Sequence, residues 1–226
     1  MFNQIKPGFF SVDVACDKMR FTFDVQNEQI LKRNQVVDFV FFGDSITEMW
    51  NVNLYFSDLG FIVNRGIGGD TTHYLLKRLE ADVIQLKPKN VVFLAGINDV
   101  IQSSPDLWWK KDGKDKDEVI KSITSNIENI IKLCKENNIN GYFCSLLPID
   151  LCSPYNTFGL EDMVVKINRI IKELCLNYGV AYIDYYSELI SENGLNIKDG
   201  LTYDGLHPNT EGYDIMASKL RENLIK

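Results

Sequence analysis

Val36-Val-Asp-Phe-Val-Phe-Phe42 runs directly into Gly43-Asp44-Ser45-Ile46-Thr47, so a strand-length apolar segment stops at a glycine and passes into helix-capping residues. A short run rich in Val and Phe without polar alternation reads as a strand buried on both faces. Four more runs of this kind follow: Phe61-Ile-Val63, Asn90-Val-Val-Phe-Leu-Ala95, Gly141-Tyr-Phe-Cys-Ser-Leu-Leu147 and Val180-Ala-Tyr-Ile-Asp184. Helical periodicity fills the intervals. Residues 71–86 align Leu75, Leu76, Leu79, Val83 and Leu86, and residues 117–135 align Val119, Ile123, Ile127, Ile130, Ile131 and Cys134. Met163, Ile167, Ile170, Ile171, Leu174 and Cys175 form a third stripe, and Tyr213, Met216, Ala217 and Leu220 a fourth. Strands alternating with helices through long crossovers predict an α/β fold, a three-layer α/β/α sandwich around a five-stranded parallel sheet.

No repeat, low-complexity tract or linker divides the chain. Residues 36–226 are therefore expected to form a single domain, with residues 1–35 an N-terminal extension packed on it and a helix around 24–34. Two connections exceed the ~4–6 residues usual in compact folds: Val100 to Lys116, with Trp108 and Trp109, and Pro148 to Leu160. Both follow the carboxyl end of an expected strand, where open α/β sheets bind ligands. Trp108 and Trp109 are candidates for a substrate wall as well as for loop packing.

The 226 residues carry 24 basic and 31 acidic side chains, a formal charge of −7, with 45% hydrophobic residues. No stretch reaches the ~18–20 apolar residues that span a bilayer, so no integral membrane association is expected. No Lys/Arg-rich run offers the clustered charge that nucleic acid requires. The five cysteines, Cys16, Cys134, Cys144, Cys152 and Cys175, show neither C-x-x-C pairs nor metal-ligand spacing, and the N-terminus lacks a charged region followed by an apolar run. Both features suit a reducing, cytoplasmic setting without a secretory signal. There are two histidines, His73 and His207, so a neutral imidazole base can come from two positions.

Four polar clusters fall at the ends of strands one to three and before the last helix. Ser45 can start a short helix at the sheet edge, or Asp44 and Ser45 can simply cap that helix. Asn64-Arg-Gly66-Ile-Gly68-Gly69-Asp70 brings three glycines before a helix that Asp70 or Thr71 can cap; it is a tight turn or an anion nest. It matches neither a dinucleotide fingerprint nor a P-loop. Gly96-Ile-Asn98-Asp99 offers an amide donor or an Asx turn. Asp204-Gly-Leu-His207-Pro208 offers a carboxylate three residues from an imidazole, or plain turn punctuation. Asn209 or Thr210 suits the cap of the following helix. His73, in the first turn of its helix, is the weaker candidate base.

In combination, Gly43-Asp44-Ser45, Asn64-x-Gly66-x-Gly68-Gly69-Asp70, Gly96-x-Asn98-Asp99 and Asp204-x-x-His207 resemble the SGNH or GDSL family of serine esterases and lipases. The resemblance spans residues 43–208 and implies a flavodoxin-like fold. It implies Ser45 as nucleophile, His207 as general base, Asp204 as the acid that orients it, and Ser45, Gly69 and Asn98 as oxyanion-hole donors. Asp44, Trp108 and Trp109 are weaker candidates for substrate contact. Neither metal nor organic cofactor is implied. The expected substrate is a small-molecule ester, with O-acetyl groups on carbohydrates first. Lysophospholipid, platelet-activating-factor-like or thioester hydrolysis is second, and a non-catalytic carbohydrate- or partner-binding module is the rival of another class. Oligomeric state is not encoded in these motifs; a homodimer is one option.

Overall fold

The computed structural model describes residues 3–105, 112–150, 159–192, 194 and 196–224. Its elements run in the order α1 (Arg20–Lys32), β1 (Phe39–Gly43), α2 (Ser45–Met49), α3 (Val52–Tyr55), β2 (Ile62–Gly66), α4 (Thr72–Asp82), β3 (Asn90–Leu94), α5 (Ile97–Ile101), α6 (Lys116–Glu136), β4 (Asn140–Cys144), α7 (Leu160–Tyr178), β5 (Ala181–Ile183), α8 (Tyr185–Leu189) and α9 (Thr210–Leu224). Among the described residues the strands form one five-stranded sheet in the order β2-β1-β3-β4-β5. The expected α/β fold with a helix-flanked parallel sheet is thus the observed one. By its contacts the chain divides into two compact units, residues 1–95 with 126–142, and residues 96–125 with 143–226.

In the first unit β1 is the centre. It pairs in parallel with β2, from Phe39↔Ile62 to Gly43↔Gly66, and with β3, from Phe39↔Asn90 to Gly43↔Leu94. Since β2 and β3 lie on opposite sides of β1, the strand order reverses there, and the carboxyl end of β1 is a switch point of the kind where such sheets bind ligands. Both faces of β1 are buried, as the unbroken apolar run requires. On one face Phe41 stacks on Phe56 at 5.3 Å and meets Trp50 edge-on at 5.7 Å. On the other, Phe42 lies 6.1 Å from Phe93 and 4.5 Å below the Arg78 guanidinium. Truncating Phe41 to alanine should cost about 3–5 kcal/mol, read as a lower denaturant midpoint. An unchanged midpoint would show that β1 is not buried between these layers.

Helix α1 lies earlier than the expected 24–34. Its buried positions are Arg20, Phe23 and Asn27, two of them polar, so its inward face escapes a reading based on apolar spacing. The Arg20 guanidinium grips Asp82 at 2.6 and 3.1 Å, and Asn27 donates to the Ala81 carbonyl at 3.0 Å, which anchors α1 to the end of α4. Asn34, at φ +50°, ends the helix in a left-handed turn. Cys16, Phe23 and Ile67 form a small buried cluster to which Phe10, Val14, Met19 and Tyr74 add. Helix α4 stops at Asp82 rather than at 86, and Ile84–Leu86 continues as a 3₁₀ turn closed by Lys87 at φ +48°.

In the second unit, α5 occupies residues that read as a turn, directly after Gly96 at φ +130°. Strand β4 ends at Cys144 instead of Leu147. The buried Asn168 of α7 accepts from Leu146 N at 2.7 Å and donates to Leu146 O at 2.9 Å, so an amide side chain takes the place of a ladder partner. The short helices α3 and α8, of four and five residues, carry no periodic apolar signal. Cys16, Cys134, Cys144 and Cys175 are buried and form no disulfide among the described residues, and Cys152 lies outside them. No described helix is long and apolar enough to cross a membrane.

Candidate active site

Ser45 opens α2 immediately beyond β1 and is half-buried. Asp44 precedes it, fully buried, and its Oδ1 accepts from Ile46 N at 3.0 Å. With its side chain buried, Asp44 shapes the turn by capping α2. Gly43 is obligatory, because a Cβ there would lie 2.2 Å from the Leu94 carbonyl oxygen and 2.3 Å from Thr47 Oγ1. Asn64 ties the far end of α2 to β2 by donating to the carbonyls of Thr47 (2.8 Å) and Trp50 (3.1 Å) while accepting from Gly66 N (2.8 Å).

After β2 the chain makes a tight turn over Ile67–Asp70, closed by Asp70 N donating to Ile67 O at 3.1 Å. Gly69 holds φ +78°, as the third position of a type II turn requires. Gly68 sits beside the nucleophile candidate: a Cβ on it would stand 3.7 Å from Ser45 Cβ. Its N–H donates to Glu48 Oε2 at 2.6 Å. The Thr71 side chain makes no cap bond on α4, and Asp70 Oδ1 accepts from Thr71 N at 2.9 Å.

Beneath this edge lies a buried guanidinium that sequence reading did not single out. Arg78 donates to Gly43 O (3.0 Å), Arg65 O (3.0 Å), Asp70 Oδ2 (2.7 Å) and Asp82 Oδ2 (3.1 Å). It thereby fastens the residue before Asp44-Ser45 to the residue after Gly69. Burial opposes the charge of Asp82, yet the Arg78 and Arg20 guanidiniums outweigh it and hold this carboxyl below its usual range. Asp70 faces one of these guanidiniums, and there burial prevails and raises the carboxyl.

In the second unit, the Asp204–His207 turn is built as the spacing suggests. His207 Nδ1 lies 2.7 Å from Asp204 Oδ2, and Asp204 Oδ1 accepts from Leu206 N (3.0 Å) and His207 N (2.8 Å). Burial disfavours the Asp204 charge, but these N–H donors and the His207 ring outweigh it and keep the carboxyl below its usual range. An ionised carboxylate accepts only, so Nδ1 is the ring nitrogen that donates, and the neutral tautomer compatible with this bond carries its lone pair on Nε2. The turn is pinned at Gly205 (φ +82°), whose O accepts from Asp150 N at 2.8 Å and where a Cβ would lie 1.9 Å from Asp150 O. Asn209 caps α9 through Gly212 N at 3.0 Å. Asn98 is half-buried on α5.

The structure thus brings Ser45, Glu48 and the glycine turn together in one unit, and Asp204 with His207 in the other. His73 is exposed on α4, its ring 5.0 Å from that of Tyr74. Trp108 and Trp109 lie outside the described residues. Burial pushes the thiols of Cys16, Cys134 and Cys175 up to about 12, so none of them competes as a nucleophile. Among the described residues no group of three His, Cys, Asp or Glu side chains has a metal-binding arrangement.

Residues 41–215 match the model of the GDSL-like lipase/acylhydrolase family. A GDSL-like lipase from Bacteroides thetaiotaomicron has a similar structure, with TM-score 0.73 and 26% identity over 94% of this chain and 98% of that one. Among curated proteins the chain is 26% identical to an N-acylneuraminate cytidylyltransferase of Escherichia coli over 88% of its length, but spans only 44% of that protein. It is also 26% identical to an acetylxylan esterase of Geobacillus stearothermophilus, over 72% of this chain and 71% of the esterase.

Proposed function

The chain belongs to the GDSL-like lipase/acylhydrolase family, and from that premise we propose that it is a serine esterase that removes small acyl groups, O-acetyl groups of carbohydrates first among them, through an acyl-enzyme. The observation that carries the reading is the Asp204–His207 pair, 2.7 Å apart, with the carboxylate held ionised by backbone donors. Such a pair fixes the imidazole tautomer that leaves Nε2 ready to accept a proton.

In this reading Ser45 Oγ attacks the ester carbonyl carbon as His207 Nε2 takes its proton. The Ser45 N–H, the Gly69 N–H and the Asn98 amide receive the oxyanion. Collapse breaks the bond to the alcohol, which leaves with the proton from His207. Water, deprotonated by the same imidazole, then releases the acid and restores Ser45. No metal or organic cofactor takes part. Two curated relatives have names directed at sugars, an acetylxylan esterase and an N-acylneuraminate cytidylyltransferase, which supports a carbohydrate alcohol.

We further propose that residues 36–226 serve as a single hydrolase domain, with residues 1–35 an extension packed on it, as the Arg20–Asp82 and Asn27–Ala81 contacts suggest. Four buried cysteines that form no disulfide among the described residues support a cytoplasmic setting.

A fluorophosphonate probe should label Ser45, located by peptide mass spectrometry. Acetyl esters should exceed octanoyl esters by at least about tenfold in kcat/KM, since a short acyl pocket rejects added methylenes. Failure to label Ser45 would leave the non-catalytic binding module as the better reading, and preference for octanoate would point to the lipid-directed one.

A further inference from the structure

Glu48 is exposed, three residues past Ser45 on α2, and its carboxylate reaches across to the glycine turn. The bond it accepts from Gly68 N, at 2.6 Å, is charge-assisted and among the shorter ones around the site. It joins the helix bearing Ser45 to the turn bearing Gly69. A Cβ on Gly68 would come within 2.8 Å of Glu48 Oε2 and 3.7 Å of Ser45 Cβ, so the three groups share one small volume.

The turn needs such a tether. Its central residues, Gly68 and Gly69, are both glycine, the residue with the widest conformational range. Type I and type II turns differ by roughly half a rotation of the peptide between those central residues, and that peptide carries the Gly69 N–H. The incoming side of the turn is held as far as Ile67, whose N–H donates to Gly43 O at 3.1 Å. The outgoing side is held from Asp70, through Arg78 Nε at 2.7 Å and Thr71 N at 2.9 Å. Between these anchors Gly69 presents no side chain, and the Gly68 amide is secured by Glu48.

We propose that Glu48 is a positioning residue for the reaction: by tethering the Gly68 amide to α2 it holds the Gly69 N–H at a fixed place relative to the Ser45 nucleophile. The inference rests on the reading of Gly69 as an oxyanion donor. Its effect falls on the transition state, because the donor must be in place when charge develops on the carbonyl oxygen, and a donor that drifts has to be reordered during the reaction. Substrate binding before that step is left largely unchanged.

Glu48→Ala removes the acceptor, whereas Glu48→Gln keeps a carbonyl oxygen that the Gly68 N–H can use. With p-nitrophenyl acetate, Glu48→Ala should lower kcat by roughly tenfold, a fraction of the 10²–10³ that loss of a whole donor costs, with KM unchanged within about twofold. Glu48→Gln should recover most of that loss. Melting temperatures of both should match the parent, since the side chain is exposed. An unchanged kcat in Glu48→Ala overturns the proposal, as does an equal loss in both variants, which would assign the effect to charge instead of the tether. A loss of kcat accompanied by an equal fall in melting temperature would mark Glu48 as merely structural. Fluorophosphonate labelling of the parent separates the two levels: an unlabelled Ser45 removes the esterase reading and the proposal with it, while a labelled Ser45 with indifferent Glu48 variants removes only the proposal.

Discussion

Ser45→Ala is expected to lower kcat/KM for acetyl esters by about 10⁴-fold or more without altering the melting temperature, and His207→Ala should do nearly the same. The reason lies in how the pieces depend on one another. A serine hydroxyl is a poor nucleophile until a neutral imidazole takes its proton, and the imidazole has nothing to activate once the hydroxyl is gone. The double variant should therefore be little worse than either single one, because groups acting as a unit are grossly non-additive. The fold is not at risk: Ser45 is half-buried, and the side chain that caps α2 is Asp44, through Ile46 N. A Ser45→Ala enzyme with the parent's rate would refute the assignment. Fully additive losses in the double variant would mean that the two residues serve separate steps.

Arg78→Met should be the most damaging change away from the reacting groups, costing about 3–5 kcal/mol of stability, which at this chain length is a fall in Tm of roughly 2–4 °C per kcal/mol. Methionine replaces much of the volume but leaves Asp70 without its guanidinium, Asp82 with Arg20 and a 3.5 Å bond from Asn27, and the carbonyls of Gly43 and Arg65 without this donor. Removing one partner of a buried ion network is costly because the remaining charge stays desolvated. The same network predicts acid sensitivity. Asp82 has a folded pKa below its unfolded value of ~3.9, so its contribution is complete above that value and is lost as pH falls through the folded pKa. Burial raises Asp70, which acts with the opposite sign, so the acid transition of the parent should shift less than Asp82 alone would give. In Arg78→Met the Asp82-linked part of that acid dependence should shrink, measured as Tm against pH. A variant as stable as the parent would show that the guanidinium is dispensable to the fold.

Apolar pattern was enough to locate what is apolar. The strands and the inward faces of α6, α7 and α9 are where the spacing of Val, Ile, Leu and Met puts them, since burial of such side chains is non-directional and depends chiefly on periodicity. Helix α1 begins four residues before its expected start because Arg20 and Asn27 occupy its buried face, and β4 ends three residues before its expected end because Asn168 imitates a strand partner at Leu146. In both places a long-range polar bond overrides the local signal. The short helices α3, α5 and α8 lie below the length at which periodicity can be recognised.

The amino-acid sequence by itself determined the α/β class, the family, and which residues are the chemical candidates: a serine after a buried strand, a glycine turn, an amide, and a carboxylate three residues from an imidazole. It could do so because those identities and spacings are local. Only the tertiary structure decided that Asp44 is a buried cap of α2, that Asp204 is held ionised against His207, that Arg78 fastens the edge from below, and that Glu48 reaches Gly68. Each of these is settled by burial and by hydrogen bonds, those of Arg78 to Gly43 and of Glu48 to Gly68 between residues distant along the chain, whose strength depends on angstrom-scale geometry that no local spacing encodes.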